Sequence, residues 1–84
     1  MTDTLYNRIA LFRGEVGMSR RALAEEVGVN PQTIGCLERG DYSPSLELAM
    51  KIARRFEVPV EALFSFERFE PVASLIQRAR EVQK

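Results

Sequence analysis

Residues 20–39 read RRALAEEVGVNPQTIGCLER, and this stretch decides the fold. Ser19 stands just before it as a helix N-cap, since a hydroxyl can accept from amide protons that a helix start leaves unpaired. Leu23, Ala24 and Val27 then share one face, and Gly28 follows where a left-handed residue ends the helix. Asn30 caps again, Pro31 fits the first helical position where no amide proton is needed, and Ile34 with Leu37 forms an apolar stripe until Gly40. The pattern predicts two short helices joined by a tight turn. Ala24 is small where they must cross closely, and Leu23, Val27, Val29, Ile34 and Leu37 form the wedge that holds them at a steep angle.

Working outward, Leu5, Ile9, Phe12 and Val16 recur at helical spacing and predict a first helix that Gly17 stops. Beyond Asp41, Tyr42, Ser43 and Pro44, residues 45–56 predict a helix burying Leu46, Ala49, Ile52, Ala53 and Phe56, with Lys51, Arg54 and Arg55 towards its negative end. Pro59 opens a very short fifth helix. In residues 63–69, Phe64, Phe66 and Arg68 alternate with Ser65, Glu67 and Phe69, the pattern of a brief strand that needs a partner. Pro71 then opens an amphipathic helix with Val72, Leu75, Ile76, Ala79 and Val82 on one side.

With 84 residues the chain has room for one small domain. Its 45% hydrophobic content and twelve basic against twelve acidic side chains favour folding over disorder. There is no histidine, and Cys36 is the single cysteine, so Ser-His or Cys-His catalysis, a soft-ligand metal cluster and an intramolecular disulfide are all excluded. Carboxylates in so small a helical domain are expected at the surface, so neither an enzyme nor a cofactor is expected. No basic stretch precedes an apolar run at the start, and no run of eighteen apolar residues occurs, so the expected compartment is the cytoplasm, away from any membrane.

Five groups of residues carry a resemblance: residues 18–24 (MSRRALA), 27–30 (VGVN), 32–34 (QTI), 37–40 (LERG) and 42–46 (YSPSL). With these, residues 5–64 resemble the Cro/C1-type (phage-repressor-like, XRE) helix-turn-helix regulators of bacteria and phages. The resemblance implies an all-α, five-helix, lambda-repressor-like DNA-binding domain that inserts its third helix into the major groove, usually as a dimer on a two-fold-related site. The division expected is 1–64 for DNA binding and 65–84 for a strand-and-helix extension.

Some residues point to DNA without the family. Arg20 and Arg21 lie in the first turn of the second helix, where the dipole disfavours cations, while Glu25 and Glu26 sit at its equally unsuitable end. Phosphate contact would compensate, and a solvated face with an Arg21–Glu25 pair is the alternative. On the third helix, Gln32, Gly35, Cys36 and Arg39 lie opposite Ile34 and Leu37. Gln32 is the best base reader, because its amide matches adenine N6 and N7 together. Thr33 either meets a thymine methyl or phosphate or completes the first turn. Asn30 is a cap before it is a reader, and Cys36 is either redox-sensitive or a small tolerated residue at the groove. Pro31, Gly35 and Cys36 stand where the family often has long polar side chains, so direct readout by this helix is thin. Gly35 implies close approach to DNA or to another helix, or simple drift.

The resemblance further implies an Arg13–Glu38 pair bracing the first helix against the third, and backbone contacts from Arg39, Tyr42, Ser43 and Ser45 around the following turn. Tyr42 could equally be a packing aromatic. For dimerisation the candidates are Phe64, Phe66, Phe69, Val72, Leu75, Ile76 and Ala79, more apolar surface than so small a core can cover. The expected function is a sequence-specific regulator, a repressor acting as a homodimer on double-stranded DNA. The alternative is an antitoxin or adaptor whose C-terminal helix holds a protein partner.

Overall fold

A computed structural model describes residues 3–70 of the chain. Five helices run in order: α1 (Ile9–Glu15), α2 (Arg20–Val27), α3 (Pro31–Arg39), α4 (Leu46–Arg55) and α5 (Val60–Leu63). Two short strands, β1 (Tyr6–Asn7) and β2 (Phe64–Ser65), flank the set. The helix starts follow from local chemistry. Ser19 Oγ accepts from the Ala22 amide at 3.0 Å, Asn30 Oδ1 from Gln32 at 2.8 Å, and Ser45 Oγ from Leu48 at 3.1 Å. Each cap satisfies a donor that the helix itself cannot. Gly28 closes α2 at φ 78°, a left-handed conformation costly to any residue with a Cβ.

Ile9, Leu23, Ala24, Ile34, Leu37, Ile52 and Leu63 form the centre of one core shared by all five helices. Full burial of each large aliphatic side chain contributes about 1.5–3 kcal/mol. Phe12 and Phe56 close one side, their ring centroids 5.6 Å apart.

Several expectations are corrected. Leu5 precedes β1 and packs against the core from outside any helix, because α1 starts only where Asn7 Oδ1 accepts from the Ile9 amide at 3.1 Å. Val16, expected on the buried face, is 57% exposed, since the helix has already ended at Glu15. Leu46 is 74% exposed as the first residue of α4, and Leu48 packs on the core in its place. The partner that the strand needs lies in this chain: β2 pairs antiparallel with β1, Tyr6 opposite Ser65 and Asn7 opposite Phe64. Phe64 is thereby buried in its own core and offers no exposed face for a dimer. The strand stops after Ser65, whose Oγ accepts from the Glu67 amide at 3.0 Å and turns the chain, leaving Phe66 exposed. The expected helix bearing Val72, Leu75, Ile76, Ala79 and Val82 lies outside the described residues. No described helix is long and apolar enough to cross a membrane.

Candidate nucleic-acid interface

Because Ile34 and Leu37 are drawn into the core, the opposite side of α3 faces outward, carrying Gln32 and Arg39, both exposed, and Cys36, half-buried. Thr33 is half-buried in the first turn, its amide donating to the Asn30 carbonyl at 2.9 Å. The Asn30 Oδ1 accepts the Gln32 amide in the cap, which leaves its amide nitrogen to donate to another partner.

Glu38 leaves this outer face for the junction of three helices. Arg13 of α1 donates through Nε to Oε2 at 2.6 Å and through Nη2 to Oε1 at 3.1 Å. Arg13 Nη1 also donates to the Met18 carbonyl at 2.9 Å, pinning the α1–α2 turn. Arg20 of α2 adds an Nε donor to Oε1 at 2.9 Å. Burial pushes the Glu38 carboxyl's pKa up, but hydrogen bonds and charge from both arginines outweigh it and hold the group below the ordinary glutamate range. The hydrogen bond to Glu38 likewise raises the pKa of Arg13 against the opposing effect of burial. The position of Arg20 at the start of α2 is legible in the sequence, but its reach to Glu38, eighteen residues on, carries no local signal.

Arg21 is exposed beside Arg20. Glu26, unfavourably placed at the end of α2, is paired with Arg55 of α4. Around the α3–α4 turn, Arg39 Nε donates to Asp41 Oδ2 at 3.1 Å and Nη2 to Cys36 Sγ at 3.4 Å. Tyr42 and Ser43 are exposed, and Ser45, also exposed, caps α4. Arg39, Tyr42, Ser43 and Arg68 line one surface depression. Arg68 was not among the sequence candidates, because only the chain's return through β2 carries it there.

Two further residues position the helices. Asn7 Nδ2 donates to the Leu37 carbonyl at 2.8 Å, tying β1 to the end of α3. Arg8 donates through Nε and Nη2 to the Ala62 carbonyl at 3.0 and 2.7 Å, and its guanidinium lies 4.2 Å from the Phe69 ring centroid. Nothing local marks either, since helical spacing runs from Leu5 straight across Asn7 and Arg8 and their acceptors are 30 and 54 residues away.

Two adjoining helices joined at a left-handed glycine, the second with its polar side turned out, form a helix-turn-helix unit. A family profile described as helix-turn-helix matches residues 9–63. The chain belongs to the helix-turn-helix family of XRE type. It is 52% identical over 60 residues to an uncharacterized HTH-type transcriptional regulator of Archaeoglobus fulgidus, covering 71% of this chain and 86% of the relative. Over 61 residues it is 43% identical to the uncharacterized HTH-type transcriptional regulator YgzD of Bacillus subtilis, covering 73% and 92%. Among solved structures, a "putative DNA-binding protein" from Bacteroides fragilis superposes with a TM-score of 0.66 at 30% identity, covering 73% of this chain and 98% of that one. The family is one of DNA-binding transcriptional regulators rather than enzymes.

Proposed function

We propose that this chain is a cytoplasmic repressor that binds a two-fold-related operator as a homodimer, with α3 of each subunit in the major groove. The observation that carries the reading is the outward side of α3, with Gln32, Cys36 and Arg39 turned away from the core and flanked by the start of α2 and the α3–α4 turn. A helix of this diameter fits the major groove, where base edges are distinguishable. Gln32 reads an adenine, Thr33 and the Asn30 amide stand at the leading end, and Cys36 lies against the groove. Arg21, Tyr42, Ser43 and the Ser45 hydroxyl, with Arg68 beside them, hold phosphate oxygens. Residues 1–64 serve DNA binding, and the extension from 65 onward joins two subunits, with Phe66 in the contact. Two-fold pairing sets the α3 helices about 34 Å apart, one turn of DNA.

Selection of random duplexes by the purified full-length protein tests this. Enrichment of a two-fold-related motif is the expected result; enrichment of nothing would overturn operator recognition and favour the partner-holding module. Insertion of the selected motif into a promoter should lower expression of a reporter when the protein is present. A rise in expression would contradict the repressor assignment.

A further inference from the structure

Gly35 is the least suited residue to a helix interior in α3, about 1 kcal/mol worse than alanine, and two arginines fill the space it leaves. A Cβ at this position would meet Arg39 Nη1 at 3.3 Å, Arg20 Nη1 at 3.8 Å and Arg20 Cζ at 4.0 Å. Two guanidinium groups, one from the start of α2 and one from the end of α3, thus converge on one point of α3. In each, a carboxylate holds Nε: Glu38 takes Arg20 at 2.9 Å and Asp41 takes Arg39 at 3.1 Å. Such a contact restrains the guanidinium plane: Arg20 keeps both terminal nitrogens for another acceptor, and Arg39, whose Nη2 also donates to Cys36 Sγ at 3.4 Å, keeps Nη1 and the second Nη2 proton. Both arginine side chains remain half exposed, at 50% and 57%, so neither is consumed in the interior.

We infer that Arg20 and Arg39, converging over Gly35, read guanine in the major groove in place of the long polar side chains that α3 lacks at Pro31, Gly35 and Cys36. Guanine presents O6 and N7 as adjacent acceptors that suit a guanidinium fork, whereas adenine replaces O6 with an N6 donor that repels it. Gly35 determines specificity by having no side chain, and Glu38 and Asp41 are positioning residues. The inference rests on α3 being the major-groove helix.

The test uses full-length wild type, Arg20→Ala, Arg39→Ala, Arg39→Lys and Gly35→Ala, with folding checked by thermal melting. Wild type should select a motif containing guanine at symmetry-related positions. Each alanine variant of an arginine should lose about tenfold or more of the preference for guanine over adenine at one such position and keep its preferences elsewhere. Arg39→Lys, which keeps the charge without the fork, should recover affinity but not that preference. Gly35→Ala should melt no lower than wild type, since the helix gains propensity and the crowded atom is a flexible side-chain tip, yet lose the same preference. Equal weakening on every duplex, with the salt slope shallower by about one per arginine, would make these residues phosphate contacts. That result overturns the inference while leaving operator binding intact; failure of wild type to select any sequence overturns both.

Discussion

Glu38 and Arg13 are joined by two hydrogen bonds, Nε to Oε2 at 2.6 Å and Nη2 to Oε1 at 3.1 Å, with the Glu38 side chain only 4% exposed. This pair, with Arg20 as a second donor, fixes α1 and α2 against the end of α3 and so sets the orientation of the recognition surface. Removing one partner of a buried pair leaves the other charged and poorly solvated, at a cost of about 3–5 kcal/mol. Because Arg20 remains on Glu38, Arg13→Ala should fall near the lower end, about 3 kcal/mol in urea unfolding. Arg20→Ala, which removes the more exposed donor and leaves Arg13 in place, should cost about 1 kcal/mol or less. Equal losses for the two variants would show that burial does not set the strength of the pair.

The same carboxylate gives stability a pH dependence of known sign. Its folded-state pKa is lowered from an unfolded value near 4.5, so the folded form binds its proton more weakly. The stabilisation is therefore fully present well above pH 4.5 and is lost as pH falls from there through the lower folded-state value. Urea midpoints measured between about pH 6 and pH 3 should fall in wild type more steeply than in Glu38→Gln, whose side chain does not titrate over that range. Parallel curves would place the acid sensitivity elsewhere.

What could be read from the sequence was what the chain decides locally. Ser19 and Asn30 lie within three residues of the amides they cap, and Gly28 ends α2 through its own backbone conformation. The core stripe of Leu23, Ala24, Val27, Ile34 and Leu37 follows from helical spacing alone. The misread positions depend on partners distant in sequence or on where a helix ends. Leu5 falls in register with α1, but Tyr6 and Asn7 are claimed by Ser65 and Phe64. Val16 and Leu46 keep the right period just past a helix end or at its first turn, where the facing surface is gone. At the candidate interface residue types were legible, and of their tethers only the Arg13–Glu38 pair, which the resemblance implies. Arg20 reads as a free cation until Glu38, eighteen residues on, is brought beneath it.

Asn7 offers a test of one such long-range tether. Its Oδ1 accepts from the Ile9 amide at the start of α1, and its Nδ2 holds the Leu37 carbonyl near the end of α3. Asn7→Ala removes both contacts and should destabilise the fold by about 1–3 kcal/mol. Asn7→Asp keeps the acceptor for Ile9 but places a carboxylate against a carbonyl, so it should recover little of that loss. Full recovery by aspartate would assign the whole effect to the contact with the Ile9 amide.

Gln32 is exposed, and its side chain contributes no cap, so Gln32→Ala should leave the melting temperature within about a degree of wild type. Discrimination at one base pair of the selected motif should nevertheless fall by about 1–3 kcal/mol. With Arg21 and Arg68 each neutralising a phosphate in each subunit, the log–log salt slope of the dimer should be roughly −3 to −4, and Gln32→Ala should not alter it. A changed slope would place Gln32 on the backbone instead of a base.

Two-fold recognition rests on the proposed homodimer, and Phe66 is its most exposed candidate contact within the described residues. The ring is 68% exposed, unlike Phe64, which is buried, and Phe69, which is half-buried beneath Arg8. It also lines an apolar groove with Leu5, Leu46 and Val60, a surface that a second subunit would remove from water. Because Phe66 contributes little to its own core, Phe66→Ser should barely change the melting temperature of the monomer. Sedimentation equilibrium should show the dimer dissociating at least about tenfold more readily, as loss of an aromatic anchor at an interface typically costs more than 1.4 kcal/mol. DNA affinity should fall with the dimer, because each subunit then binds its half-site without help from a neighbour. A dimer of unchanged strength with Phe66→Ser would move the two-fold contact away from this groove, and DNA binding by that variant should then equal wild type.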